Sequence, residues 1–176
     1  RFSNGPAFIL GDPRQAGENY TAELFRLLQQ NKIKNQLIFE LFSPAPRELL
    51  RQMSLCSPKF CLEMSPESHD PEVMRASGRP YSPAGLEQTI GDALDIGCGR
   101  IDIFFMIGLP KQTKQSVMDT VDYCGSLWER FRGDKRLFLF MAPLSPFLDP
   151  GSLAFEYPER YGYRLLFRSL AEHRQA

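Results

Sequence analysis

Two carboxylates stand where a strand would ordinarily carry apolar side chains. Glu40 sits among Ile38, Phe39, Leu41 and Phe42, and Glu63 among Phe60, Cys61, Leu62 and Met64. A buried ionised carboxylate is costly unless paired, so each is expected either to form a salt bridge to Arg or Lys or to bind something. More polar residues fall where apolar runs stop. Gly11-Asp12 follows the first run and Ser43 the second, while Ser65, Glu67 and Ser68 follow the third within MSPESHDPEVMRASGRP, residues 64–80. The fourth run ends in Gly108-Leu109-Pro110 and the fifth in Ala142-Pro143-Leu144-Ser145. The residue types are those of a hydrogen-bonding pocket rather than of a nucleophile or metal centre, since His69 and His173 have no paired ligand spacing. Local chemistry alone makes Ser65 and Ser68 turn and cap residues, leaves Glu67 and Arg79 solvated, and makes Gly108 a tight strand exit.

These residues need elements to position them. Short apolar runs predict strands over 8–10, 36–42, 59–64, 101–107 and 137–141. Between them, Tyr20, Leu24, Leu27 and Leu28 recur at helical spacing, Pro46 opens a short helix, and Asp70 is an N-cap with Pro71 at the first helical position and Val73 and Met74 packed inward. A helix over 83–96 closes at Gly97, where a left-handed cap is expected, and a long helix covers 114–131. The tail begins with an aromatic, proline-broken loop at Leu148 and ends in a helix over 163–173. Strands alternating with helices imply an α/β fold with parallel crossovers, either an open doubly wound sheet or a complete or partial (βα) barrel. No Gly-x-Gly-x-x-Gly follows a strand, which lowers the dinucleotide-binding version. In either architecture, ligands bind at the carboxyl ends of the strands.

Bulk properties narrow the class. A chain of 176 residues suits one domain, with strands and helices over 1–147 and a loop and helix over 148–176. With 21 basic and 21 acidic side chains there is no global electrostatic case for nucleic acid or membrane. Cys56, Cys61, Cys98 and Cys124 lack disulfide-framework spacing and read as reduced thiols of a cytoplasmic protein. The chain opens Arg1-Phe2-Ser3-Asn4 without methionine, so a fragment is expected.

The stretch LEMSPESHDPEVMRASGRPYSPAGLEQTIGDALDIGCGRIDIFFMIGLPKQT resembles the middle of the barrel of the radical S-adenosylmethionine (SAM) superfamily. The resemblance rests on Asp70-Pro71-Glu72-Val73-Met74-Arg75-Ala76, on Gly78-Arg79, and on Gly108-Leu109-Pro110-Lys111-Gln112-Thr113 following in order; it extends more loosely over 8–146, with Gly11-Asp12-Pro13 in place of the family's Gly-Gly-Glu-type segment. It implies a partial (βα) TIM-like barrel of parallel strands whose N-terminal strand is missing.

By resemblance, Asp12 beside Gly11 would accept from the methionine amino group of SAM and Arg79 would pair with its carboxylate. Glu40 and Glu67, with Ser43 and Ser65, would bind the ribose hydroxyls, and the backbone around Ile107, Gly108, Ala142 and Pro143 would line the adenine. The donor and acceptor types suit these roles. The family's Cys-x-x-x-Cys-x-x-Cys loop, which holds the 4Fe-4S cluster, is absent, so the cluster ligands are expected outside this chain and the chain alone is expected to be inactive. The family often carries an acid four residues before the Gly108 position; here that place is Phe104, with Asp102 two residues earlier on the same strand face.

The resemblance thus implies an iron-sulfur oxidoreductase that, as a whole protein, cleaves SAM to a 5'-deoxyadenosyl radical for hydrogen abstraction, with flavodoxin or ferredoxin as electron donor. The SPES and IGLP.QT segments are similar to those of members carrying a cobalamin domain upstream. Three other readings stay open: a noncatalytic SAM-binding or interaction module that keeps the barrel without the cluster, an RNA-modifying member, which the neutral charge balance disfavours, and an unrelated α/β domain.

Overall fold

The computed structural model describes residues 5–57, 59–79, 81–143 and 150–174, with backbone alone at 173. Leu144 and Ser145, the start of the tail at Leu148, residues 1–4 and the His173 side chain lie outside the described residues.

Five strands form one parallel sheet: β1 (Ala7–Ile9), β2 (Leu37–Leu41), β3 (Phe60–Glu67), β4 (Arg100–Ile107) and β5 (Leu137–Pro143), in the order β1-β2-β3-β4-β5. Each strand neighbours the next in sequence. A doubly wound sheet reverses its order at a switch point; this one does not, so crossovers of one hand place the helices on one face. The fold is α/β with the strand order of a partial (βα) barrel. Its connecting helices are α1 (Glu18–Gln30), α2 (Arg47–Cys56), α3 (Pro71–Ala76), α4 (Pro83–Ile96) and α5 (Lys114–Arg130).

Period-two alternation along the strands separates the faces. Leu37, Phe39 and Leu41 of β2, Phe60, Leu62 and Met64 of β3, and Ile101, Ile103 and Phe105 of β4 are all buried on the helix-covered face. The register aligns Phe39, Leu62, Ile101 and Leu137 in one row. Each fully buried Leu or Phe is worth about 1.5–3 kcal/mol, so this layer fixes the strands and thereby their ends. Among the described helices, none is long and apolar enough to cross a membrane.

Local signals set the helix boundaries. Asp70 Oδ1 accepts from the Glu72 and Val73 amides at 2.7 and 3.2 Å, with Pro71 at the first position, and Val73 and Met74 are buried as expected. Asp70→Ala should cost about 1 kcal/mol in urea denaturation, the usual loss for an N-cap; an unchanged midpoint would remove the capping role. Gly97 closes α4 with φ 94° and ψ 28°, the left-handed cap read from the sequence.

Several expectations are corrected. Ser65, Pro66 and Glu67 do not form a turn: β3 continues through them across a register shift between Met64 and Glu67. β5 runs on through Pro143. Helix α1 buries Thr21 and Phe25, whereas Tyr20 and Leu27 are exposed, because the Thr21 hydroxyl is satisfied by donating to the Pro13 or Gly17 carbonyl. Among the described residues the tail holds two short α-helices, α6 (Leu153–Glu156) and α7 (Leu170–His173), and a 3-10 turn at Pro158–Tyr161, so the helix expected over 163–173 is confined to its last turn.

Candidate functional site

The ends of β1 and β2 are knitted together by Asp12 and Glu40. Glu40 Oε2 accepts from the Gly11 amide at 2.5 Å. Asp12 is buried and accepts four bonds: from the Arg14 amide (3.0 Å), Arg14 Nε (2.8 Å), an Arg14 terminal nitrogen (2.5 Å) and the Phe42 amide (3.0 Å). Burial would raise the Asp12 pKa, but the Arg14 and Phe42 bonds outweigh it and hold the carboxyl below its usual value. Arg14 also donates to the carbonyls of Ser43 and Pro44, both at 2.8 Å, joining two strand ends. Arg14 escaped the sequence reading, although Asp12-Pro13-Arg14 is the spacing of an acidic cap with a basic residue in the same turn.

At the end of β3 the geometry is less settled. Glu67 is 7% exposed and has φ 70°, a backbone conformation that disfavours any residue with a Cβ. Its Oε1 accepts from Arg79 Nε at 3.4 Å, while its Oε2 is buried with no partner among the described residues. Burial raises the Glu67 pKa, and the Arg79 charge pulls against that. Glu67 is therefore not the solvated turn residue that local chemistry suggested. Arg79 in turn lies over the Phe42 ring, 4.0 Å from its centroid. Ser68 does keep its structural role: its hydroxyl accepts from the Asp70 amide at 3.1 Å and meets Thr120 Oγ1 at 3.3 Å. The buried Tyr81 donates to the Leu41 carbonyl and feels the charges of Arg79, Arg14, Asp12 and Glu67, so the β1, β2 and β3 ends share one neighbourhood.

The β4 and β5 ends lie side by side, with Met106 opposite Ala142 and Ile107 opposite Pro143. Gln112 latches the exit of β4: its Oε1 accepts from the Gly108 and Leu109 amides at 2.7 and 3.2 Å, and its Nε2 donates to the Met106 carbonyl at 2.8 Å. Gly108 has φ 98°, which its missing Cβ permits.

Along the face opposite the helices, the register places Glu40, Glu63 and Asp102 in one row. Asp102 is paired with Arg100 Nε at 2.8 and 2.9 Å, and the Arg100 guanidinium lies 4.3 Å over Phe138. Phe104 projects to the same face and stacks on Phe140 at 4.8 Å. Among the described residues neither Glu40 nor Glu63 forms an ion pair with Arg or Lys. Burial, with Glu40 and Asp102 nearby, raises the Glu63 pKa.

Cys56, Cys61 and Cys98 are buried and Cys124 half-buried, all as free thiols. Burial raises the Cys98 thiol pKa to about 12 and that of Cys124 to about 11, as suits packing residues. Among the described residues no three His, Cys, Asp or Glu side chains converge as metal ligands. A groove of about 270 Å³ lined by Arg14, Thr21, Phe25, Leu49 and Gln52 lies between α1 and α2, away from the β4 and β5 ends.

No protein-family model and no curated protein matches the chain. By structure, the sequential parallel sheet with its helices is an α/β fold consistent with part of a (βα) barrel, similar to part of a solved barrel enzyme. The likeness is to coproporphyrinogen III oxidase (HemN) from Escherichia coli, a radical SAM enzyme, with 20% identity and a TM-score of 0.59 over 78% of this chain and 31% of that one. The chain thus spans about a third of that protein's length. A weaker likeness, with a TM-score of 0.40 and 11% identity over 70% of this chain and 37% of the other, is to the Paramecium bursaria Chlorella virus arginine decarboxylase bound to agmatine.

Proposed function

We propose that this chain is the SAM-holding part of the catalytic barrel of a radical SAM enzyme. The observation that carries the reading is Glu67, a nine-tenths-buried carboxylate on strained backbone at a strand end, with one oxygen lacking a partner among the described residues. Strain and an unsatisfied acceptor on one residue are the marks of a ligand contact rather than of a structural ion pair. The fold shared with HemN supports the placement.

The donor set fits SAM. Glu67 Oε2 accepts a ribose hydroxyl, with Ser65 two residues before it on β3 and Ser43 just past the end of β2. Arg79 spends Nε on Glu67, which leaves its terminal nitrogens to grip a carboxylate in two places. Asp12 already accepts four bonds, so its part is to hold Arg14 and the Phe42 amide in place, and Glu40 at the Gly11 amide is the carboxylate left to receive an ammonium group. Ile107 and Ala142, on adjoining strand ends, supply apolar surface for the adenine. Cluster thiolates come from outside the described residues, as do an electron donor and any cobalamin domain. When bound, SAM and the cluster supply the radical chemistry; these residues orient and shield it.

In the full-length protein, anaerobic titration with SAM should show Glu67→Gln weakening affinity roughly tenfold, the loss of one charge-assisted hydrogen bond. Equal affinity would sink the assignment. SAM binding without iron loading or cleavage would instead favour the noncatalytic module.

A further inference from the structure

The loop after β4 has a second restraint besides Gln112. The Tyr163 hydroxyl donates to the Gly108 carbonyl at 3.0 Å, across 55 residues of sequence. Gly108 therefore has both its backbone polar groups occupied, the amide by Gln112 and the carbonyl by Tyr163. It meets a ligand as a fixed peptide plane whose amide is not free to donate. Tyr163 is half-buried, and a phenol is protonated and able to donate throughout the neutral range; burial raises its pKa further.

The same bond brings the C-terminal segment to the mouth of the site. Tyr163 follows the turn Pro158–Tyr161, which is folded by the Gly162 amide donating to Glu159 and the Tyr163 amide donating to Pro158. Pro158 is buried, whereas Tyr157, Leu166 and Leu170 are exposed. The segment is a strap: compact locally, and seated by Tyr163 on the strand end beside Ile107 and Pro143.

We infer that Tyr163 is a positioning residue that seats residues 157–170 as a strap over the adenine end of the site and so slows escape of the bound nucleoside. This rests on the SAM-holding reading above. Tyr163 acts through the Gly108 peptide and moves no proton. A ligand with its flat ring against Ile107 would be enclosed by the strap, and leaving would require the Tyr163 bond to break.

The test uses the full-length protein with Tyr163→Phe, which keeps the ring and deletes only the donor. Without SAM, trypsin should cut after Arg160, Arg164 and Arg168 about threefold to tenfold faster in the variant, the range expected for one hydrogen bond. With SAM, the dissociation rate measured by stopped flow should rise by a similar factor while the association rate changes little. Tyr163→His, which restores a donor, should recover part of both effects. Unchanged proteolysis in Tyr163→Phe overturns the strap itself, whether or not SAM binds. Faster proteolysis with an unchanged SAM dissociation rate overturns the coupling to the site. Failure of the wild-type protein to bind SAM overturns the coupling together with the functional reading, and the proteolysis arm still decides the strap.

Discussion

Arg79→Ala should destabilise the protein by about 2 kcal/mol at pH 7, because it leaves the buried Glu67 carboxylate with no partner at either oxygen. The sign with pH follows from the direction of the Glu67 shift. Burial already raises this carboxyl above the ordinary glutamate value, so the folded protein holds the Glu67 proton more tightly than the unfolded chain does. Stability from that group is full below the unfolded pKa and is lost as pH rises through the folded one. Removing Arg79 takes away the charge that opposes the shift, so the folded pKa climbs further. The difference between Arg79→Ala and wild type should thus grow from nearly nothing near pH 4 to its full size at neutral pH. Glu67→Gln in the Arg79→Ala background should restore most of the loss at pH 7, since an amide is cheaper to bury than an unpaired charge. Urea denaturation across the pH range checks this. A pH-independent cost, or a double variant no more stable than Arg79→Ala, would mean that Glu67 is not confined as described.

The second large effect is expected at Asp12. Asp12→Ala removes the acceptor for the Phe42 amide and for three bonds from Arg14, one of which, from the Arg14 amide, caps the turn Pro13–Ala16, and should cost about 3 kcal/mol. Its pH dependence has the opposite sense. The Asp12 pKa lies below the ordinary aspartate value, so its contribution is present above that ordinary value and fades as pH falls through the lowered folded one. Asp12→Asn keeps one side-chain oxygen and should recover roughly half the loss. Chemical denaturation at pH 7 and pH 3 gives both comparisons, and a cost as large at pH 3 would show that the negative charge is not what holds Arg14.

The contrast between these two acids explains what was legible in the sequence. Helix boundaries were readable because caps are local: Asp70 with Pro71, and Gly97 after Ile96, act within one turn. Strand positions were readable as apolar runs, in which every second residue belongs to the helix-covered layer. The end of β3 was not, since Ser-Pro-Glu carries turn chemistry and only pairing to β4 beyond a register shift keeps it extended. On α1, Leu24 and Leu28 of the apolar repeat pack against the core, whereas Thr21 joins the buried face by hiding its hydroxyl on backbone carbonyls, which a count of apolar residues does not see. The candidate residues were named from strand-end positions and family resemblance, but their pairing was not visible. That Asp12 is occupied by Arg14, and that Glu67 keeps an oxygen without a described partner, are facts of tertiary geometry.

The row of Glu40, Glu63 and Asp102 also bears on how neighbouring strands find their alignment while the chain folds. Side chains alternate with period two, so sliding one strand by a single residue would drive its carboxylate into the Leu and Phe layer and lift a hydrophobe into water. Each acid thus acts as an alignment mark, penalising the odd-numbered slips to which an all-aliphatic parallel sheet would be prone. Replacing all three with valine would leave the native layer intact while removing that proofreading, at the risk of misregistered and aggregating chains.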